Sequence, residues 1–282
     1  MKVGIIGFGF VGNALSKGMK KSVNIIKIDP KLGTEIKDLN KFNPDIVFVC
    51  VPTPMKDDNS QDLSIFNNVI DELANLKCKP LVVIKSTVLP NHLKESANKI
   101  KKLLYNPEFL REKHAEDDFI NSKFIIFGGD KILSKELSIF YKKHTKCKAE
   151  QYVFTDLVTS SLMKYVINSF LATKVIFFNE MKELFDASDA EDSWVNFIDG
   201  ISKDLRIGNS HMNVPGHDGR YGFGGACFPK DTNALDIYAD NLDISLNILK
   251  KVINTNNNIR AKYNKPIKRE TDQNINFLEG DN

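Results

Sequence analysis

About the first 130 residues of the chain alternate short apolar runs with amphipathic stretches, and few folds satisfy that alternation. A run that is apolar at every position must be covered on both faces, as in a parallel sheet flanked by helices. The candidate strands are KVGII (2–6), NIIKI (24–28), DIVFVCV (45–51), PLVVIK (80–85), KLLY (102–105) and KFIIF (123–127). Between them lie helical stretches such as Gly12–Lys20 and Leu63–Leu76. Six strands with crossover helices predict a doubly wound parallel α/β domain over residues 1–150. After Cys147 the pattern changes. Residues 155–187 contain neither Gly nor Pro, and their apolar positions recur at helical spacing. Thr155 or Asp156 can cap that segment, so one long helix is expected to open an all-helical central domain, 151–262. Further helices are expected at Asp231–Ala239 and Ser245–Arg260, and the polar, aperiodic residues 263–282 are expected to trail as a flexible tail.

Composition narrows the function classes. Net charge is +3, with 39 basic and 36 acidic residues, so neither a nucleic-acid nor a membrane-surface partner is indicated. The unbroken apolar runs, such as Ile46–Val51, are strand-sized and too short to span a bilayer. The N-terminus MKVGIIGFG lacks the parts of a signal peptide. Cys50, Cys78, Cys147 and Cys227 are far apart with no CxxC, which reads as reduced thiols in a cytoplasmic protein with no metal site.

GFGFVG, from Gly7 through Gly9, Phe10 and Val11 to Gly12, follows a strand and opens a helix, the context in which GxGxxG carries meaning. The glycines permit a tight turn, a close-lying pyrophosphate and close helix packing, and the helix N-terminus supplies N–H groups to phosphate. The second strand ends at Asp29. A carboxylate there accepts hydrogen bonds from an adenosine ribose and repels a 2′-phosphate, which favours NAD over NADP.

VPTP (51–54) and KSTV (85–88) sit at the carboxyl ends of two predicted strands, the edge at which such sheets bind ligands, although ordinary strand-end turns have the same composition. NPEFLRE (106–112) brings Glu108, Arg111 and Glu112 to that edge, or is a solvated helix start. Lys164 and Asn168 are four apart in the long helix and share a face amid apolar neighbours. That lysine is either a partly desolvated donor or acid/base, or a surface lysine lying along the helix. In GFGGACFPKD (222–231), Pro229 suits the first turn of a helix. Cys227 then precedes a helix N-terminus with Lys230 close by, and both favour a thiolate. Gly222, Gly224 and Gly225 are read as removing bulk so that a substrate can press on the backbone, and Asp231 as holding a water or orienting the lysine. The alternative is a packing cysteine. Cys50 reads as strand core, and Cys78 and Cys147 as incidental.

GFGFVG, VPTP, KSTV, NPEFLRE, KYVINSFLATKVIFFNE, DLRIG and GFGGACFPKDTNAL, in this order, resemble the UDP-glucose/GDP-mannose dehydrogenase family from residue 1 to about residue 260. The cysteine stretch and the lysine–asparagine helix are the specific parts. The resemblance implies a four-electron oxidation of a nucleotide sugar, UDP-glucose to UDP-glucuronate, with two NAD molecules used in turn. The C6 alcohol becomes an aldehyde, Cys227 adds to give a thiohemiacetal, oxidation gives a thioester, and water releases the acid. By the same resemblance Lys164 and Asn168 stabilise the oxyanion, Thr87 and Asp231 position water, and Glu108 assists thioester hydrolysis. Asp29, Thr53, Thr87, Glu112 and Lys230 match cofactor contacts. Phe109, Leu110 and the loop 211–225, with Phe223 and Gly224, match the sugar-nucleotide site. Arg206 matches an arginine that reaches the neighbouring subunit's substrate, which implies a homodimer joined through the central helices. Lys113 stands where many relatives carry glycine. The family's further, UDP-binding domain is expected to be missing. A GDP-mannose or UDP-N-acetylhexosamine dehydrogenase, a lidless non-catalytic relative that binds NAD or a sugar nucleotide, and a two-electron β-hydroxyacid dehydrogenase remain as other readings.

Overall fold

The computed structural model describes residues 1–263 and 265–277. The chain forms two compact units: residues 1–53 with 62–164, and residues 54–61 with 165 onward.

The first unit is a seven-stranded sheet. Its strands are β1 (Lys2–Ile6), β2 (Asn24–Ile28), β3 (Ile46–Val49), β4 (Leu81–Ile84), β5 (Leu103–Tyr105), β6 (Phe124–Gly129) and β7 (Gln151–Thr155), in spatial order β2-β1-β3-β4-β5-β6-β7. All neighbours are parallel except β5 and β6, where Leu104 faces Gly129 and Tyr105 faces Gly128. Helices α1 (Phe10–Gly18), α2 (Leu39–Phe42), α3 (Ser64–Ala74), α4 (Pro90–Lys99), α5 (Ala115–Ile120) and α6 (Lys131–His144) connect them.

The strand sequences fix both faces through their two-residue side-chain period. Val47 and Val49 of β3 and Val82 and Ile84 of β4 pack with Phe66 and Ile70 of α3 and Leu93 of α4. Ile46, Phe48, Leu81 and Val83 point the other way, to Leu15 of α1, Phe119 of α5 and Phe140 of α6. Every residue of β3 and β4 is buried. Each such Val, Ile, Leu or Phe contributes about 1.5–3 kcal/mol, which explains the absence of polar alternation in these runs.

The sequence reading missed one strand and put the domain boundary at 150. QYVFT forms β7, parallel to β6 with Phe124 opposite Gln151 and Gly128 opposite Thr155. The sheet unit therefore continues past 150 and includes the start of the next helix. The strand is a partly exposed edge, so it carries no continuous apolar run.

Helix α7 (Leu157–Ala187) is the long helix expected from the Gly- and Pro-free stretch. From residue 165 it belongs to the second unit, with α8 (Trp194–Ser202), α9 (Phe228–Asp240), α10 (Asn247–Arg260) and α11 (Lys268–Thr271). By length and composition alone α7 could cross a membrane. Its buried Lys164, Asn168, Lys174 and Asn179 instead hydrogen-bond inside the protein, as on a core helix.

The expected flexible tail, 263–282, is corrected over residues 265–277. That segment forms α11 and buries Glu270 and Ile275 at 0% and 2% exposure. The Met55 N–H donates to the Gln273 carbonyl at 3.1 Å, and Asn274 Nδ2 donates to the Met55 carbonyl at 3.2 Å. Polar composition misled because the buried group is a carboxylate with a buried cation for partner. Position 264 and positions 278–282 of the expected tail lie outside the described residues.

A methyl group at Gly12 would lie 2.2 Å from the Gly7 carbonyl oxygen. Gly12→Ala is therefore expected to destabilise the protein by about 1–3 kcal/mol, read as a lower urea midpoint at unchanged m-value.

Candidate functional site

The glycine loop of the sheet unit runs from the end of β1 into α1. Gly7 has φ of +84°, a conformation suited to glycine, and a side chain there would strike the Cys50 carbonyl oxygen at 2.7 Å. The ends of β1 and β3 are thus close, at the point where the strand order reverses direction. Gly9 is exposed with open space around its α-carbon. It is the N-cap of α1 and brings no side chain to the first-turn N–H groups. Phe10 and Val11 are half-buried in that turn. Asp29, at the end of β2, accepts from Phe8 N at 2.7 Å and Lys31 N at 2.9 Å. A carboxylate is thereby fixed beside the loop that leads into α1. This arrangement fits a dinucleotide whose pyrophosphate meets α1 and whose ribose hydroxyls meet Asp29.

The other strand-end loops are held together. Thr53 Oγ1 donates to the Thr87 carbonyl at 3.1 Å, and Ser86 Oγ donates to the Val51 carbonyl at 2.7 Å. VPTP and KSTV are thus one hydrogen-bonded edge rather than separate turns, with Thr53 buried and Thr87 half-buried. Beside them lies a buried polar network that the sequence reading missed. The Lys85 ammonium pairs with the Glu108 carboxylate and donates to Asn106 Oδ1 at 2.8 Å and to Tyr141 Oη at 3.1 Å. Tyr141 Oη donates to Asn106 Oδ1 at 2.6 Å. Burial works to lower the lysine's pKa, but the Glu108 carboxylate and Tyr141 outweigh it and hold the ammonium above the ordinary lysine value. A lysine closing the apolar run LVVI was the available signal, since a cation at the end of a buried strand needs a counter-ion.

Glu108 therefore stands beside a buried cation. Its backbone carbonyl accepts from Lys164 Nζ at 2.6 Å, and that ammonium lies 4.7 Å from the centre of the Phe109 ring. Phe109 also packs at a tilt against Phe124, and Leu110 leans on the sheet core. Glu112 is exposed at the start of a short 3₁₀ turn.

The second unit holds the cysteine stretch. Cys227 is exposed and is the N-cap of α9, which begins at Phe228 rather than at Asp231 because Pro229 fits its first turn. Asp231 is 1% exposed. One of its oxygens accepts from Lys230 Nζ at 2.5 Å and the other from Asn168 Nδ2 at 2.6 Å. Lys230, Asp231 and Asn168 are thus one buried chain of polar groups on the first turn behind the cysteine. Burial pushes the Cys50 thiol up to about 12 and raises those of Cys78 and Cys147.

The glycines ahead of Cys227 require a correction. Only Gly225 has open space around its α-carbon. A methyl group on Gly222 would meet Asn256 Oδ1 at 2.7 Å, and one on Gly224 would meet Arg260 Nη2 at 2.1 Å. Those two glycines make room for buried side chains of α10, not for a substrate. Phe223 packs with Ala172, Ile176 and Val252, and its N–H and carbonyl both bond to the Asn256 side chain, at 2.6 and 3.0 Å. Phe223 and Gly224 thus have a structural part in this turn. Arg206 is 89% exposed and paired with its neighbour Asp204. Its loop is anchored by Lys174, which donates to the Ile207 and Gly208 carbonyls at 3.0 and 3.2 Å.

Comparison with known proteins agrees with this layout. Residues 31–144 match the NAD binding domain of the UDP-glucose/GDP-mannose dehydrogenase family, and residues 158–258 match its central domain. A UDP-glucose 6-dehydrogenase of Rickettsia bellii is 41% identical over 224 residues, covering 76% of this chain and 49% of that protein. One of Campylobacter jejuni is 30% identical over 298 residues, covering 93% of this chain and 73% of that protein. The solved UDP-glucose dehydrogenase of Pyrobaculum islandicum superposes with a TM-score of 0.75 at 25% identity, over 90% of this chain and 67% of that one. The chain spans about half the length of most of the curated relatives it matches. On these grounds it belongs to the UDP-glucose/GDP-mannose dehydrogenase family, of which it carries the NAD-binding and central domains.

Proposed function

We propose that the chain carries out NAD-dependent oxidation of a nucleotide sugar at C6, with UDP-glucose as substrate, UDP-glucuronate as product and Cys227 as the covalent nucleophile. The observation that supports this most is the setting of Cys227: exposed, at the start of α9, on a backbone backed by buried polar groups. A packing cysteine would be buried and would need none of these. NAD, where bound to the glycine loop and Asp29, supplies the hydride acceptor for both oxidations.

The chain's own groups divide the remaining work. The Gly9 turn and the first turn of α1, with Phe10 and Val11, take the pyrophosphate, while Thr53, Thr87, Glu112 and Lys230 contact the rest of the cofactor. The Cys227 thiolate adds to the aldehyde carbon, which keeps the intermediate from escaping and creates an oxyanion. Lys164 and Asn168 donate to that oxyanion. Asn168 is pre-oriented for this by its bond to Asp231, so its amide loses little freedom on binding. Asp231 and Thr87 hold the water that later attacks the thioester, and Glu108 takes its proton. The buried Lys85 ammonium holds the Glu108 carboxylate in place for this role. Phe109 and Leu110 line the sugar. Arg206, exposed on its anchored loop, has the reach to serve a second subunit.

A homodimer, which this reading places in the cytoplasm, is supported by the surface of α7. Val166, Phe170, Phe177 and Leu184 are 56%, 65%, 51% and 59% exposed and recur at four- and seven-residue spacing, one stripe along the helix. A relative that binds NAD or a sugar nucleotide without turning it over is the second reading.

Turnover separates these readings. The parent protein is expected to yield two NADH per UDP-glucose, and Cys227→Ser to form no acid while keeping its NAD affinity. Acid formation by Cys227→Ser at the parent rate sinks the covalent mechanism, and one NADH per substrate indicates a two-electron dehydrogenase. NADH production from GDP-mannose or a UDP-N-acetylhexosamine, and none from UDP-glucose, reassigns the substrate. Iodoacetamide at neutral pH is expected to label Cys227 well ahead of the other three thiols, read by peptide mass mapping. Phe170→Asp is expected to convert dimer to monomer in sedimentation at micromolar concentration.

A further inference from the structure

The loop that leads into Cys227 is held from behind by a set of charges that the reaction itself does not use. Arg260, at the end of α10, is 2% exposed, and its guanidinium joins two carboxylates. Nη1 donates to Asp218 Oδ2 at 2.8 Å and Nη2 to Glu270 Oε1 at 2.5 Å. The same Glu270 oxygen accepts from the backbone N–H of Gly225 at 3.2 Å, and its other oxygen accepts from Ile267 N at 2.8 Å. The guanidinium lies close enough to Gly224 that any side chain there would strike both Arg260 and Glu270. Neighbouring backbone groups are taken by other buried side chains, Gly222 N by Asn179 Oδ1 at 2.9 Å and Phe223 N by Asn256 Oδ1 at 2.6 Å. Three side-chain acceptors, for the N–H groups of residues 222, 223 and 225, thus reach from three different helices to one turn of chain.

A buried ion pair adds little net stability compared with apolar packing, because both charges must leave water. Its better attested effect is to select one arrangement of the chain around it. Here the arrangement selected is the backbone two residues before the cysteine. Glu270 lies outside residues 158–258, the part matched by the family's central domain, and on the segment that the sequence had suggested was a tail.

We propose that Glu270 is a positioning residue for Cys227: acting through Arg260 and the Gly225 N–H, it fixes the turn that sets the sulfur at the start of α9. The inference rests on reading Cys227 as the nucleophile, and it assigns residues 267–275 a part in the active-site architecture. It concerns geometry and not global stability, so its readouts must be local.

The experiment compares the parent with Glu270→Ala, Glu270→Gln and the double variant Arg260→Met/Glu270→Met. The double variant removes both members of the buried pair, leaves the half-buried Asp218 as acceptor for the Arg220 N–H, and is expected to fold. Amide exchange of the 222–227 peptide is expected to rise about tenfold in Glu270→Ala and in the double variant, the effect of losing about one net hydrogen bond. Exchange in the α1 peptide, and NAD affinity, stay at parent values. The iodoacetamide rate at Cys227 shifts with the loop, and kcat for acid formation falls about tenfold at unchanged KM for NAD. Glu270→Gln, which keeps an acceptor oxygen for Gly225, recovers most of the protection. A folded double variant with parent-like exchange at 222–227 and parent-like labelling of Cys227 overturns the proposal. Should the parent itself form no acid, the proposed reaction falls, while exchange and labelling still decide whether Glu270 holds the turn.

Discussion

Cys227 meets solvent, so its own side chain is not fixed by burial. The constraint falls on the backbone that carries it. In this chain the turn before Cys227 is fixed by Asn179, Asn256 and Glu270, which bond its N–H groups from behind, and by Arg260, which fills the space that glycine leaves. On the far side, the first turn of α9 is anchored by the buried Lys230–Asp231–Asn168 chain. The exposed sulfur stands between two buried polar anchors. Each anchor is expensive to bury, and each is satisfied by partners from other helices of the same unit.

The sheet unit solves a similar problem with different materials. Its ligand edge is built from backbone, because phosphates and ribose are recognised by N–H groups and a single carboxylate. Glycine at 7 and 12 allows β1, β3 and α1 to approach within van der Waals limits, and Asp29 is oriented by Phe8 N. Behind that edge, Lys85 and Glu108 form an ion pair whose lysine is fully buried, with Asn106 and Tyr141 completing its bonds. The pair lies at the end of β4 and β5, where apolar strands give way to loops. It holds a carboxylate at a place that hydrophobic packing alone could not specify.

The elements that the sequence revealed are those whose cause is local. The continuous apolar runs of β3 and β4, the glycine hexamer between β1 and α1, and the Gly- and Pro-free stretch of α7 are each set by a few neighbouring residues. The exposed cysteine before a Pro-containing helix start was legible for the same reason, since a cap is a local property. What escaped depends on distant partners. QYVFT is a strand only because β6 offers it an edge. Glu270 reads as a solvent-facing residue until Arg260 is brought beside it. Gly222 and Gly224 read as an opening for substrate until α10 is seen to occupy that opening.

Sequence by itself thus determined the class of fold, the phosphate-binding turn and the identity of the exposed thiol, because periodicity, glycine stereochemistry and helix capping act over a few residues. Tertiary structure alone decided which polar side chains are buried and what they hold. A buried charge is tolerable only where a counter-charge arrives, and the partners of Arg260 lie 10 and 42 residues away along the chain. Pairings at such separations are fixed by how the helices pack, and no pattern of neighbouring residues encodes them.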